Sequence, residues 1–454
     1  MKSKRVSVLF FCVLPMLAAL LSGCGENASS GNGSAASVAS FDAVSLTSRG
    51  EQIKNADHSK SEALYAPVKG STVKVAMFTE VDEGYLKRKA EFEKKYECTL
   101  VYENYDWRDW DSTLARLVAS GSTPDTTNVS DNNFITYVSQ NLIVPIDQYI
   151  DIEDTVWSKT VMDTYKWKNQ YYAGADDFDP IVIIYNKTMF ENAGQKEPIQ
   201  YYNEGTWNFE NLVKVAKAMT KAGSNGQTEV YGYWSGIREV GVLANGGSFV
   251  KPTNDGNLQI TAGNANELAG MQLIQDLMNN GSYAWAVPGD GQNFIKSRIA
   301  MVADRSWTVL DSLRVSETMK DEVALAPFPK GPDVDKETTP AVCSGTGILS
   351  SAKNPLGAAA WIYFSGYYHQ VNKNEPEILT TRRRWLSAEN EAFLEGWMPT
   401  VNVQTTFCAG LGEWWTKTMP FWEDIMYNSV SPSSAVATHK SEMQYEIDQA
   451  LKKK

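Results

Sequence analysis

The side chains best placed to do chemistry in this chain are carboxylates and indoles carried on loops. Glu80 follows the alternating run VKVAMF at 73–78, Asp131 follows the segment opened by Pro124 and Asp125, and Asp177 and Asp179 precede the apolar run IVIIYN at 181–186. Trp234 in GYWSG and Trp285 in SYAWAV stand in turn-rich stretches, where a large ring needs either a core to enter or a ligand to cover. A carboxylate accepts hydrogen bonds from hydroxyls, each worth about 1.5 to 3 kcal/mol. An indole face shielding roughly 50 to 80 Å² of C–H surface adds about 1 to 2 kcal/mol. Together these groups suit an uncharged polyol. The ordinary alternative is a solvated or capping acid at each loop position, and core packing for most of the fourteen tryptophans.

Two other chemistries use the same groups. Asp176, Asp177 and Asp179 would neutralise the ammonium groups of a polyamine while indoles supply cation–π contacts, and such binding would weaken with added salt. A pair of these acids at a fixed separation would serve a surface glycosidase. The reaction motifs with stronger signals are missing: there is no GxSxG elbow, P-loop, GxGxxG or CxxC. Histidine occurs only at 58, 369 and 439, which leaves no cluster for a His-rich metal site or a His-dependent triad. No catalytic residue, metal or cofactor is assigned. Cys12 lies in the leader and Cys24 at its end, so only Cys98, Cys343 and Cys408 remain, enough for one disulfide at most.

The elements that must position these residues read as an α/β chain. Val73, Val75 and Met77 alternate as a strand, TLVYENY at 99–105 is a second, and Trp110, Leu114, Leu117 and Val118 fall on one helical face that ends at Gly121. Further on, IVIIYN precedes a helix starting near Thr206 or Asn208, with Phe209, Leu212, Val213 and Ala216 on one face, and Asn354–Pro355 opens another. Strand–helix alternation implies a parallel sheet, with ligands bound beyond the carboxyl ends of its strands.

The amino terminus fixes the compartment. Lys2, Lys4 and Arg5 precede an apolar run from Val6 to Leu20, too short to span a bilayer as a helix, and the run breaks into Leu21, Ser22, Gly23 and Cys24. This ending resembles the lipobox of bacterial lipoproteins, which implies removal of residues 1–23 and lipidation of Cys24, with acyl chains holding the protein at a membrane surface. The small polar stretch after Cys24 reads as a flexible tether, taken here as 24–70. Losing the three leader cations moves the net charge from −12 to about −15, which argues against nucleic acid as a partner.

Seven segments, in this order, resemble the bacterial extracellular solute-binding proteins of ABC importers, especially the sugar-binding branch: FEKKYECTLVYEN, LVASGSTPD, LIVPIDQYI, IIYNKTMFENAG, GTWNFENLVKVAKAMT, FIKSRIAMV and LAPFPKGP. The resemblance implies two hinged α/β lobes, 72–179 with 327–372 and 186–322 with 376–454, closing on a ligand in the central cleft. It implies a carbohydrate ligand, ABC permease subunits as partners, and a monomer. It also marks Asp179, six residues before Tyr185, as a sugar-contacting acid, and Trp307, six beyond Met301, as a stacking ring. Arg305 is expected to pair with Asp304 or another surface acid rather than with a ligand. Two departures stand out: Ser297 replaces the glycine of the FxxGxxAM segment, and KNQYYAGA at 168–175 lacks the glycine and proline of DGKxYGxP.

Overall fold

The computed structural model describes residues 44–78, 80–130, 133–175, 178–253, 256–284, 291–305, 319–372, 402–405 and 414–452. Strand β1 (Thr72–Met77) buries Val73 and Val75 and exposes Thr72 and Lys74, following its alternation. It pairs in parallel with β2 (Thr99–Asn104) from Thr72↔Thr99 to Met77↔Asn104, and with β3 (Thr126–Ser130) at Val75↔Thr126. Between them run α3 (Glu83–Tyr96), capped by the Asp82 carboxylate accepting from the Tyr85 N–H, and α4 (Trp110–Ser120). Gly121 ends α4 at φ 64°, a left-handed conformation that glycine adopts without a Cβ penalty.

Two long strands tie the rest of the sheet to this unit. Phe178–Asn186 carries Ile181, Val182, Ile183, Ile184 and Tyr185, all fully buried, the apolar run of a strand covered on both faces. Along Val182–Tyr185 it lies between Met301–Arg305 and Val323–Pro327, antiparallel to both. Its first residues pair with Thr338–Leu349, through Phe178↔Cys343, Asp179↔Val342 and Pro180↔Ala341. The latter strand then continues along β3 from Ser344↔Ser130 to Ile348↔Thr126. The path across the sheet runs Trp234–Ser235, Met301–Arg305, Phe178–Asn186, Thr338–Leu349, β3, β1, β2. The helix expected near Thr206 or Asn208 is Phe209–Met219, capped by the Asn208 side chain, and the helix opened by Asn354 is Pro355–Asn372.

The tether expected to extend to Gly70 is structured over its second half. Helices α1 (Val44–Lys54) and α2 (Ser59–Tyr65) and the 3-10 turn Ala66–Val68 pack on the sheet's helical layer, burying Ile53, Tyr65 and Val68. These few apolar residues are diluted by polar neighbours, so composition read the segment as solvated although three anchors suffice once a partner helix is present.

Both departures from the family pattern are accommodated. Ser297 keeps the left-handed φ of 53° that a glycine would take, a conformation that costs an L-residue roughly 1 to 2 kcal/mol. Its hydroxyl offsets this by donating to Asp321 Oδ2 at 2.6 Å and accepting from Asn186 Nδ2 at 3.2 Å. Lys168 and Asn169, at φ 47° and 64°, form the two-residue turn of the hairpin Lys166–Trp167/Gln170–Tyr171, where positive φ at both positions matches strand twist.

Candidate functional site

The carboxyl ends of both strand groups converge on one seam. β1, β2 and β3 run toward Met77, Asn104 and Ser130, and Ser130 lies opposite Ser344, two residues from the Val342↔Asp179 pair. On the other side Trp234–Ser235 and Met301–Arg305 are parallel, and Arg305 lies opposite Ile181 near the start of the long strand that carries Asp179. Asp179 therefore sits, half-buried, where the strand ends of the two groups meet, the place where open α/β sheets bind ligands.

Around it the structure gathers Trp234, Gly236, Asp304 and Arg305. Trp234 is half-buried and Gly236 is exposed. A Cβ on Gly236 would lie 3.0 Å from Trp234 Cη2 and 3.5 Å from Asp304 Oδ2, so the missing side chain lets ring and carboxylate close in on the backbone, which forms a floor beneath both. That floor is held by its neighbours: the Ser235 hydroxyl accepts from the Ile237 N–H at 3.1 Å, and the buried Tyr283 hydroxyl donates to the Ser235 carbonyl at 2.9 Å. Asp304 is 3 % exposed and its Oδ1 accepts from the Arg305 N–H at 2.7 Å, with Arg305 Nη1 at 3.5 Å. Burial pushes the Asp304 carboxyl above the usual range; the backbone N–H and guanidinium of Arg305 oppose that, and the negative charge of Asp179 adds to it. The arrangement offers anionic oxygens and a ring face within one water-accessible edge.

The sequence candidates divide as follows. Asp179 acts on Asp304 through its charge, Trp234 faces Asp304 across Gly236, and Glu80 is exposed on the loop after β1. Arg305 makes the expected contact with Asp304. Asp131, Asp177, Trp285 and Trp307 lie outside the described residues. Sequence reasoning passed over three positions. Asp304 was treated only as a partner for Arg305, although an acid inside the apolar strand MVADR is itself a signal. Gly236 acquires meaning only from its neighbours. Trp107, in the loop after β2, is 70 % exposed, and its signal was an indole surrounded by charged residues in YDWRDW. Beside it Tyr105 and Phe78 pack on Trp110, with ring centroids 4.7 and 5.0 Å away.

Cys98 carries a free thiol, Cys343 is buried in the strand Thr338–Leu349, and Cys408 lies outside the described residues. Among the described residues no group of three or more His, Cys, Asp or Glu side chains is placed to hold a metal ion, and no helix is long and apolar enough to cross a membrane.

Solved structures share this architecture at low sequence identity. A cyclo/maltodextrin-binding protein complexed with maltotetraose superposes with a TM-score of 0.63 at 16% identity, covering 85% of this chain and 98% of its own. An ABC substrate-binding protein from Listeria monocytogenes in complex with cycloalternan gives 0.61 at 17%, covering 84% and 99%. UgpB from Mycobacterium tuberculosis, in complex with glycerophosphocholine, gives 0.61 at 14%, covering 83% and 98%. The fold is the two-lobe α/β fold of periplasmic binding proteins. No curated protein matches the chain. The family model described as bacterial extracellular solute-binding protein matches residues 87–370, well over half the chain, and this chain therefore belongs to that family.

Proposed function

We propose that this protein is the substrate-binding component of an ABC importer, held at the membrane by a lipidated Cys24, and that it takes a carbohydrate into the cleft between its lobes without transforming it. The observation that carries the ligand class is the position of Asp304, which feels the charge of Asp179 and faces the ring of Trp234 across Gly236. Two carboxylates and one or two rings supply about 4 to 10 kcal/mol before the costs of ordering and desolvation, against the roughly 8 kcal/mol of micromolar capture. Three structural neighbours hold cycloalternan, maltotetraose or mannotriose, which supports the same ligand class here. We assign 72–179 with 327–372 to one lobe and 186–322 with 376–454 to the other, with the pairing of 178–180 and 341–343 as the flexible seam. Asp131, Asp177, Trp285 and Trp307 complete the ligand shell in this reading.

The test is thermal denaturation of the mature protein with mono- and oligosaccharides. A ligand at a hundred times its dissociation constant stabilises by about 2.7 kcal/mol and raises the midpoint by a few degrees. Asp179→Ala should abolish the rise while leaving the unliganded midpoint nearly unchanged. Stabilisation by a polyamine alone, fading with salt, would transfer the site to cations, and recovery of shortened saccharide would make it a hydrolase. Release of Cys24→Ser protein from cells is the separate test of the anchor.

A further inference from the structure

The segment ahead of the sheet has a direction. Ser71 lies beside Asn354 at the amino end of helix Pro355–Asn372, where Asn354 Nδ2 donates to Ser71 Oγ at 2.9 Å. Tyr65 then packs on Tyr363, His58 on Tyr363 and Tyr367, and Gly50 on the backbone of Gln370 and Val371. Val44–Val68 thus runs antiparallel along the whole helix. That helix in turn runs from the amino edge of the sheet to the carboxyl edge. Val73, near the start of β1, faces Gly357; Tyr102, later in β2, packs on Trp361; and Arg88, on the helix that leaves the end of β1, lies over Tyr368.

The docking is specific at both ends. Gly50 permits the close approach, since a Cβ there would sit 2.8 Å from the Gln370 carbonyl. Midway, His58 bridges Asp154 Oδ1 at 2.9 Å and the Ile53 carbonyl at 2.6 Å, while Ser61 Oγ donates to Asp154 Oδ2 at 2.5 Å.

We propose that Val44–Val68 is an anchor guide: it carries the root of the tether from the amino edge of the sheet to the carboxyl edge, so that the anchored molecule presents its ligand-bearing edge to the lipid surface. The displacement from Asn354 to Gln370 is about 24 Å at 1.5 Å per helical residue. Without the segment the tether would start at Ser71, at the far edge, and the site would hang away from the bilayer. Twenty positions separate Cys24 from Val44, and a Gly/Ser-rich stretch of that length reaches an r.m.s. distance of only about 25 Å, so the position of its root decides which edge lies near the membrane. The inference rests on the anchored reading of Cys24.

The test separates the two. The mature chain, Cys24→Ser with six histidines ahead of it, is bound to phosphatidylcholine vesicles containing nickel-chelating lipid and a headgroup acceptor dye, so orientation is read whether or not the native cysteine is lipidated. A donor dye is placed at Glu83→Cys on the carboxyl edge or at Lys353→Cys on the amino edge, with Cys98 and Cys408 replaced by serine. Energy transfer should be greater from 83 than from 353. Undocking by Gly50→Leu with Ile53→Asp, verified by new protease cleavage within 44–68, should reverse or erase the difference; Asp154→Ala serves the same purpose if that pair fails to fold. Equal or greater transfer from 353 in the unsubstituted segment, or an order that survives undocking, overturns the proposal. Retention of Cys24→Ser protein on cells overturns the anchor alone.

Discussion

Asp304→Asn separates the cost of the buried carboxylate from its use. Asparagine keeps the shape and keeps an oxygen for the Arg305 N–H, and it removes one negative charge from a site that is 3 % exposed and feels Asp179. A carboxyl whose folded pKa is raised binds its proton more tightly in the folded state, so the wild-type protein loses stability as pH rises from 3.8 through the folded value. The variant avoids that loss: it should melt above the wild type at pH 7 and level with it below the carboxylate range. Binding moves the other way. Replacing a charge-assisted hydrogen bond, about 1.5 to 3 kcal/mol, by a neutral one, about 0.5 to 1.5, costs near 1 kcal/mol or roughly 5- to 10-fold in Kd, and Asp304→Ala costs the full bond, about 10- to 150-fold. Thermal denaturation at about pH 3 and pH 7 and calorimetric titration at pH 7 read both effects. If Asp304→Asn lowers the pH 7 midpoint, or leaves affinity untouched, Asp304 is a structural acid and the site lies elsewhere.

Two further expectations follow from the same geometry. Trp107 and Trp234 flank strands six positions apart, about 29 Å at 4.8 Å per strand, longer than one sugar ring; Trp107→Ala should weaken oligosaccharides about 5- to 30-fold and leave monosaccharides unchanged, and equal losses for both would remove Trp107 from the site. Asp154, whose side chain is 3 % exposed, accepts from His58, Ser61 and the Val156 N–H; its replacement by alanine should cost about 3 to 5 kcal/mol, seen as faster amide exchange confined to 44–68, whereas uniform acceleration through the sheet would show that the segment is not a separable unit.

Periodicity, caps and breakers are local, and they were legible. The alternation of Val73, Val75 and Met77, the helical face from Trp110 to Val118 with its stop at Gly121, and the Asn208 cap all appear where the residues placed them. Each depends on neighbours within a few positions in the chain. Asp179 was reached through its spacing from Tyr185, as a loop residue ahead of the strand; the structure places it inside the strand Phe178–Asn186, opposite Val342. The order of segments also identified the family, because a run of seven modest signals in one sequence is far more specific than any one of them.

What the tertiary structure alone decided is long-range. Gly236 is an ordinary glycine in sequence, and it becomes a floor only because Asp304, on the neighbouring strand, approaches the segment that carries Trp234 and Gly236. Asp304 looked like half of a surface ion pair until burial and the nearby Asp179 charge gave it a site's electrostatics. The helices at 44–68 escaped composition because their stability comes from Tyr363, Asp154 and Gln370, residues about 100 to 320 positions away that no local window contains. Sequence set the elements, since they answer to nearest neighbours; packing set the site and the docking of 44–68, since desolvation and close contact exist only between surfaces that folding has brought together.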